Sequence, residues 1–165
     1  SDLANDLGNL LSRSTAMLGK YFGGVLPAPG PADEVDQAFT ERFGLANEKI
    51  DGLYNDMAFN KILQTIWELI SAGNKYIDET APWALAKDPE QQEHLGTVLY
   101  NLLEGQRLIA LQLTPFMPET GANILSQLGV DPASTLKDND SWGELAGGTK
   151  IAKAAPLFPR IESGE

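Results

Sequence analysis

The stretch DPEQQEHLGTVLYNLLEGQRLIALQL, residues 88–113, predicts the centre of the fold. Asp88 is a favourable N-cap residue, Pro89 suits the first helical position, and Gln91 falls in the first turn. The apolar residues that follow are Leu95, Val98, Leu99, Leu102, Leu103, Leu108, Ile109, Leu111 and Leu113. A helix that is apolar on most sides must be covered by other elements. The pattern therefore predicts the central helix of a bundle.

Other segments of the chain repeat apolar residues at helical spacing. The further helices are predicted up to Tyr21, over residues 32–55, over residues 58–78 and over residues 119–128. The glycines Gly23 and Gly24 and the proline-rich residues 27–31 separate the first two helices. We predict an all-α fold in one domain, an antiparallel bundle of about five helices over residues 1–136. An irregular tail, residues 137–165, is expected to dock on the bundle.

Several side chains are assigned to core or surface from the pattern alone. The predicted apolar stripes include Val35 and Phe59, and Trp67 is interpreted as core or core edge. The acidic residues of the second helix are interpreted as a solvated face, and His94 as a surface or boundary residue. In the tail, the apolar residues expected to pack on the helices are Trp142, Ile151, Leu157 and Phe158.

Composition excludes several classes of function. The 165 residues include no cysteine and one histidine, which excludes disulfides, thiolate nucleophiles and histidine-rich metal sites. No apolar run reaches the roughly 18–20 residues of a membrane helix, and we recognise no signal peptide. The chain starts at Ser1, already inside a predicted helix, so we expect a processed chain or part of a longer protein. Without a catalytic constellation or phosphate loop, it is interpreted as a binding module.

The net charge of −11 argues against a general nucleic-acid coat, which depends on many phosphate contacts. A site that reads a few exposed bases remains compatible with it. Asn5, Asn9 and Arg13 recur at i, i+4 and i+8 and stack along one side of the first helix. Amides and a guanidinium can read the edge of a planar polar ligand such as a base. The alternatives are a solvated polar face or an Asn–Arg contact within the helix.

Trp83 follows Pro82 at a corner after the third helix. Its indole is either a packed plug of the corner or a flat platform on which a base or sugar stacks.

Four stretches resemble the anticodon-binding helical domain of methionyl-tRNA synthetase, a class I synthetase. They are NDLGNLLSR (residues 5–13) with KYF (20–22), APWALAK (81–87), LTPFMP (113–118) and LFPRIE (157–162). The resemblance implies that Asn9, Arg13 and Trp83 recognise the CAU anticodon, with Asn5 as a weaker contact. Lys20, Lys75 and Lys87 are candidate phosphate contacts, from their charge and expected proximity.

The resemblance also implies the partners and the limits of this chain. The partners are methionine tRNA, bound through its anticodon loop, and a catalytic domain in cis that uses ATP and Mg. We expect a cytoplasmic protein that does not bind membranes, and no cofactor or metal in this region. The ATP-handling signatures His-Ile-Gly-His and Lys-Met-Ser-Lys are absent, so the chain should bind tRNA without aminoacylating it. The alternatives are the anticodon domain of a cysteine, leucine or valine synthetase, or a helical protein-interaction module without RNA binding.

Overall fold

The structure, a computed structural model, describes residues 2–154. The helices in this part of the chain are α1 (Asp2–Phe22), α2 (Glu34–Asn55), α3 (Phe59–Thr80), α4 (Pro82–Leu85), α5 (Gln92–Leu113) and α6 (Pro118–Gln127). Extended pairing within residues 2–154 is limited to an isolated antiparallel bridge between Val25 and Lys150. The predicted all-α bundle is therefore confirmed. None of the helices described combines the length and apolarity that crossing a membrane requires.

Helix α5 is the centre of the bundle, as its sequence predicts. Every residue from Leu95 to Leu113 is buried, and α1, α2, α3, α4 and α6 all pack against it. The predicted start needs one correction, because a 3₁₀ turn, Pro89–Gln91, precedes the α-helix. The Asp88 side chain caps this turn by accepting the backbone N–H of Glu90 at 3.0 Å.

A buried ion pair on α5 fixes part of the tail. Arg107 donates to both carboxylate oxygens of Glu104, at 2.7 and 3.0 Å. Arg107 also donates to the backbone oxygens of Asn139 and Ser141, both at 2.7 Å. The Glu104 carboxylate in turn accepts the backbone N–H groups of residues 143–145. The pair thus provides the hydrogen bonds that an irregular backbone segment needs when it packs on a helix.

Apolar contacts of the tail agree with the prediction where they are described. The Trp142 ring lies 5.2 Å from the Phe43 ring, between centroids, and Ile151 is buried. Leu157 and Phe158, also predicted to dock, lie outside the described residues.

Three apolar residues that the pattern placed in or near the core are exposed, namely Val35, Phe59 and Trp67. Val35 and Phe59 lie in the first turns of α2 and α3. Trp67 lies on the solvent-facing side of α3. Asp36, interpreted as solvated, is instead fully buried.

Candidate nucleic-acid interface

The polar stripe of α1 faces solvent. Asn5, Asn9 and Arg13 are all exposed, as their spacing predicts. The opposite side of α1 is anchored in the bundle by buried leucines and by Ser14, whose hydroxyl accepts a hydrogen bond from the Gln106 amide of α5 at 2.9 Å. The inner face therefore sets the rotation of α1 that presents the polar stripe.

Arg13 reaches across from α1 to the last turns of α3. Its Nη1 donates to the Asn74 side-chain oxygen at 3.1 Å, and its Nη2 lies 3.5 Å from the Asp78 carboxylate. The Asn74 amide donates in turn to the Ile70 carbonyl at 3.4 Å. A guanidinium has five N–H donors, and 42% of the Arg13 side chain stays exposed. Arg13 therefore hydrogen-bonds to α3 rather than to Asn9 and keeps donors for a ligand.

Trp83 is presented at the corner that follows α3. Ala81 adopts a left-handed conformation, with φ of 47°, and its N–H closes α3 by donating to Ile77 at 2.9 Å. Pro82 is buried as the first residue of α4, and Trp83 is 46% exposed. The interpretation of Trp83 as a packed plug is wrong, because its side chain is among the exposed large apolar ones. The exposed indole face is compatible with a stacking platform.

A side chain of α5 holds the backbone that follows Trp83. The Gln92 side-chain amide lies within hydrogen-bonding distance of the carbonyl oxygens of Leu85, Ala86 and Asp88, at 3.5, 3.4 and 3.0 Å. Trp83 itself has neither a hydrogen bond nor a ring contact within the described part of the chain. The exposed indole is thus attached to a segment whose backbone is held by a side chain of α5.

The three candidate lysines lie at different places on the surface. Lys20 lies in the last turn of α1, with its Nζ 5.6 Å from the centre of the Tyr21 ring. Lys75 follows Asn74 directly and lines a cleft between α2 and α3. Lys87 is exposed just beyond α4. Within residues 2–154, none of the three forms an ion pair, so all remain available to an anion.

A buried polar network holds α3 against α2 and α5. The Tyr76 hydroxyl of α3 donates to the Asp36 carboxylate at 2.5 Å and accepts from the Asn101 amide at 3.2 Å. His94 Nε2 lies 2.9 Å from the other Asp36 oxygen. Burial, with the neighbouring Asp36 carboxylate, raises the pKa of Tyr76 far above its ordinary value. The network fixes the rotation of α3, whose other side carries the partners of Arg13.

Asp33, Asp36 and His94 are close enough to resemble a metal site, since their ligand atoms lie within 4.8 Å of one another. Hydrogen bonds already account for this arrangement. Asp33 and Asp36 each accept the other's backbone N–H at 2.9 Å, which makes a capping box at the start of α2. The Asp36 N–H bond is the main reason that the pKa of Asp33 is lowered. We interpret the cluster as a helix cap and a hydrogen bond that join α2 to α5.

Asn74 and Asp78 were missed as site residues. They lie one helical turn apart at the end of α3, but their spacing does not reveal that they meet Arg13. The sequence feature that could have indicated these two residues is their position just before the Trp83 corner.

Comparison with known proteins identifies the family. A family model described as the anticodon binding domain of methionyl tRNA ligase matches residues 26–165. The chain belongs to this family. The methionine–tRNA ligases of Caldanaerobacter subterraneus subsp. tengcongensis and Bacillus subtilis are both 45% identical to it, over 98% and 99% of the chain. These alignments include almost all of the chain and thus the polar stripe of α1.

A solved structure of the same family has the same fold. The apo crystal structure of Mycobacterium tuberculosis methionyl-tRNA synthetase matches 99% of the chain with a TM-score of 0.89 and 33% identity, and the match covers 33% of that protein. The chain spans about a quarter of the length of the curated relatives, which is 25% in both cases. The resemblance to methionyl-tRNA synthetase is confirmed, and the assignment to a cysteine, leucine or valine synthetase is wrong.

Proposed function

We propose that this chain binds methionine tRNA through the anticodon loop and reads its CAU anticodon. The observation that carries the proposal is the Arg13 guanidinium, held on the last turns of α3 by Asn74. The exposed Trp83 follows the same end of α3. A donor fork and a flat aromatic face are the two features that recognition of an unpaired base requires.

Trp83 stacks the first anticodon base, cytosine, because anticodon bases are single-stranded and can leave the loop stack. Arg13 then donates to the O2 and N3 acceptors of that cytosine. Asn9 lies one turn away on the same stripe and positions this contact or adds a hydrogen bond. Asn5, one turn further, is a weaker addition. Guanine presents N–H donors on the corresponding edge, so it would oppose the Arg13 donors instead of accepting from them.

Phosphate contacts are expected to be few. Lys20, Lys75 and Lys87 are the proposed ones, and the overall charge of −11 repels the rest of the RNA backbone. Specificity therefore depends on base contacts, and the dependence of affinity on salt should correspond to only a few phosphates.

The activity of the whole protein is part of the same proposal. A larger ligase that contains this chain joins methionine to its tRNA, using ATP and Mg in a separate catalytic domain in cis. The role of this chain is to select the tRNA, and we place the protein in the cytoplasm, where tRNA is charged. No reaction step is assigned to residues of this chain.

The test is a titration of the chain with a CAU anticodon stem-loop at low salt, followed by tryptophan fluorescence. A second stem-loop carries GAU. We expect quenching with CAU, weaker binding of GAU, and an affinity loss of about tenfold or more in Trp83→Ala, since a base–aromatic stack contributes about 1–3 kcal/mol. Trp83→Phe keeps an aromatic face and should retain most of the affinity.

Equal affinity for the two loops would contradict anticodon reading. Binding of neither loop would contradict the RNA-binding proposal and favour a protein-interaction module. Thermal melting of each variant shows whether a loss of affinity reflects unfolding.

A further inference from the structure

A cleft between α2 and α3 lies outside the site formed by Arg13 and Trp83. It has a volume of about 470 Å³, and the lining residues that matter here are Arg42, Gln64, Trp67, Glu68, Ser71 and Lys75. The cleft joins an aromatic face, two cations and uncharged hydrogen-bonding groups. This combination suits a nucleotide better than an apolar ligand or a metal ion.

Trp67 is exposed but fixed in orientation. Its side chain is 36% exposed, although large apolar residues are usually covered. Its indole Nε1 donates to the Asp6 carboxylate of α1 at 2.9 Å. The edge of the ring is thus anchored while part of its surface faces the cleft. An aromatic ring held in this way loses little freedom when a base stacks on it.

The two cations of the cleft lack protein partners. Neither Arg42 nor Lys75 forms a hydrogen bond or an ion pair with any residue of the described part. Three acids are near these cations, Glu68 in the same cleft and Glu34 and Glu79 in the adjoining one. None of the three forms an ion pair with Arg42 or Lys75, so both cations can contact an anion directly. Arg42 suits a phosphate in particular, since a guanidinium binds it with two parallel hydrogen bonds.

Two residues of the cleft lie on the same side of α3 as the partners of Arg13. Trp67, Ser71, Asn74 and Asp78 follow the spacing i, i+4, i+7 and i+11, which forms a line on one side of a helix. The last two residues of this line are the partners of Arg13. At 1.5 Å per residue, Trp67 and Asp78 are about 16 Å apart along the axis. A few nucleotides of single strand cover that distance.

We propose that this cleft is a second nucleotide subsite for the RNA that Arg13 and Trp83 bind. Trp67 stacks one further unpaired base of the loop, and Arg42 and Lys75 hold the phosphate next to it. Gln64 and Ser71 hydrogen-bond to that nucleotide. The inference rests on the proposed function, but it concerns affinity and not the choice of the first anticodon base.

The test measures affinity and discrimination separately, with the CAU and GAU stem-loops. Trp67→Ala should weaken binding of both loops by about tenfold, since it removes one stacked base, and leave the CAU-to-GAU ratio unchanged. Trp67→Phe loses the bond to Asp6 but keeps a stacking face, so it should bind better than Trp67→Ala. If the two variants bind equally weakly, Trp67 acts through α1 and the subsite is wrong.

The contribution of Arg42 is tested by salt dependence. In Arg42→Gln, the slope of log affinity against log salt should fall by about 1, the value expected for one lost phosphate contact. Lys75 is left in place, because it is already a proposed phosphate contact of the anticodon loop. The matched control is Lys137→Gln, at an exposed lysine of the tail without an ion pair. The control removes the same charge and should leave the slope nearly unchanged.

Failure of this inference differs from failure of the proposed function. If all cleft variants bind with the affinity and slope of the unaltered chain while CAU is still preferred over GAU, the cleft is not a subsite. An equal fall of the slope in the lysine control would likewise overturn it, because only general charge would be involved. If the unaltered chain binds neither loop, both proposals are overturned together.

Discussion

The Asn74 side-chain oxygen accepts a hydrogen bond from Arg13 Nη1 at 3.1 Å, and this bond joins α1 to α3. The Asn74 amide group is itself oriented by the Ile70 carbonyl. Arg13 is a long side chain with many rotamers, so holding it before RNA arrives lowers the entropy that binding must remove. The ion pair with Asp78 adds little by itself, because exposed ion pairs contribute about 0–1 kcal/mol.

Asn74→Ala should therefore weaken anticodon discrimination without unfolding the protein. We expect the preference for CAU over GAU to fall by about three- to tenfold, which is within the roughly 0.5–1.5 kcal/mol of a typical net hydrogen bond, because solvent exposure weakens this charged one. Stem-loop titrations give this ratio. Asn60→Ala is the matched control, an exposed asparagine of α3 far from Arg13, and it should leave the ratio unchanged. Equal discrimination in Asn74→Ala would show that Arg13 needs no support.

Ala81→Gly should stabilise the protein. Ala81 has a φ of 47°, where an L-residue other than glycine is disfavoured by about 1–2 kcal/mol. Glycine removes this strain but makes the unfolded chain more flexible, so we expect a net gain of about 0.5–1 kcal/mol. Urea unfolding measures the change. Ala84→Gly, an exposed position in the short helix α4, should instead destabilise, and a loss at Ala81 as well would contradict the left-handed conformation.

The sequence was sufficient to predict α5, because a helix that is apolar on nearly all sides has no other place than the centre. It also predicted the exposure of Arg13, since a polar stripe opposite leucines faces solvent. The Arg13 bond to Asn74 could not be predicted, because it joins residues 61 positions apart in the sequence. It depends on how their two helices are rotated against each other. Trp83 was ambiguous for a related reason, since the left-handed conformation that presents it falls on an alanine.

Asp36 shows the limit of charge patterning. Its position in a run of acids suggests solvent, yet it is buried and has partners on α3 and α5. Those partners include Tyr76 and His94, which are distant in sequence. A buried carboxylate of this kind is recognised only when its hydrogen-bond donors are known.

Asp33→Asn should lower the free energy of unfolding by an amount that depends on pH. Asparagine is also a good N-cap, so the substitution mainly removes charge. The pKa of Asp33 is lowered from its ordinary value of 3.8, chiefly by the Asp36 N–H, so the ionised form stabilises the fold above that pH. This contribution is lost as the pH falls through the lowered pKa. We expect the natural chain to exceed Asp33→Asn in unfolding free energy at pH 6, with the difference shrinking towards pH 2.

Urea unfolding at the two pH values measures this difference. Asp51→Asn, near the C-terminal end of α2, removes the same charge without a capping bond and serves as the control. A gap between the natural chain and Asp33→Asn that is unchanged at pH 2 would contradict the electrostatic explanation.

Replacing the buried Glu104–Arg107 pair by Met at both positions should destabilise the protein, although buried ion pairs can often be replaced by apolar residues without loss. Here the carboxylate also accepts backbone N–H groups of residues 143–145, and the guanidinium donates to the Asn139 and Ser141 carbonyls. The double variant leaves these backbone groups without partners, each at about 1–3 kcal/mol if they stay buried. Because the chain can instead release the segment, we expect faster limited proteolysis within residues 139–145, while the helical circular dichroism of the chain persists.

Arg107→Met alone should destabilise the protein more than the double variant does, since it leaves a buried carboxylate uncompensated. A double variant as stable and protease-resistant as the natural chain would mean that Trp142 and the other apolar contacts suffice to hold the tail.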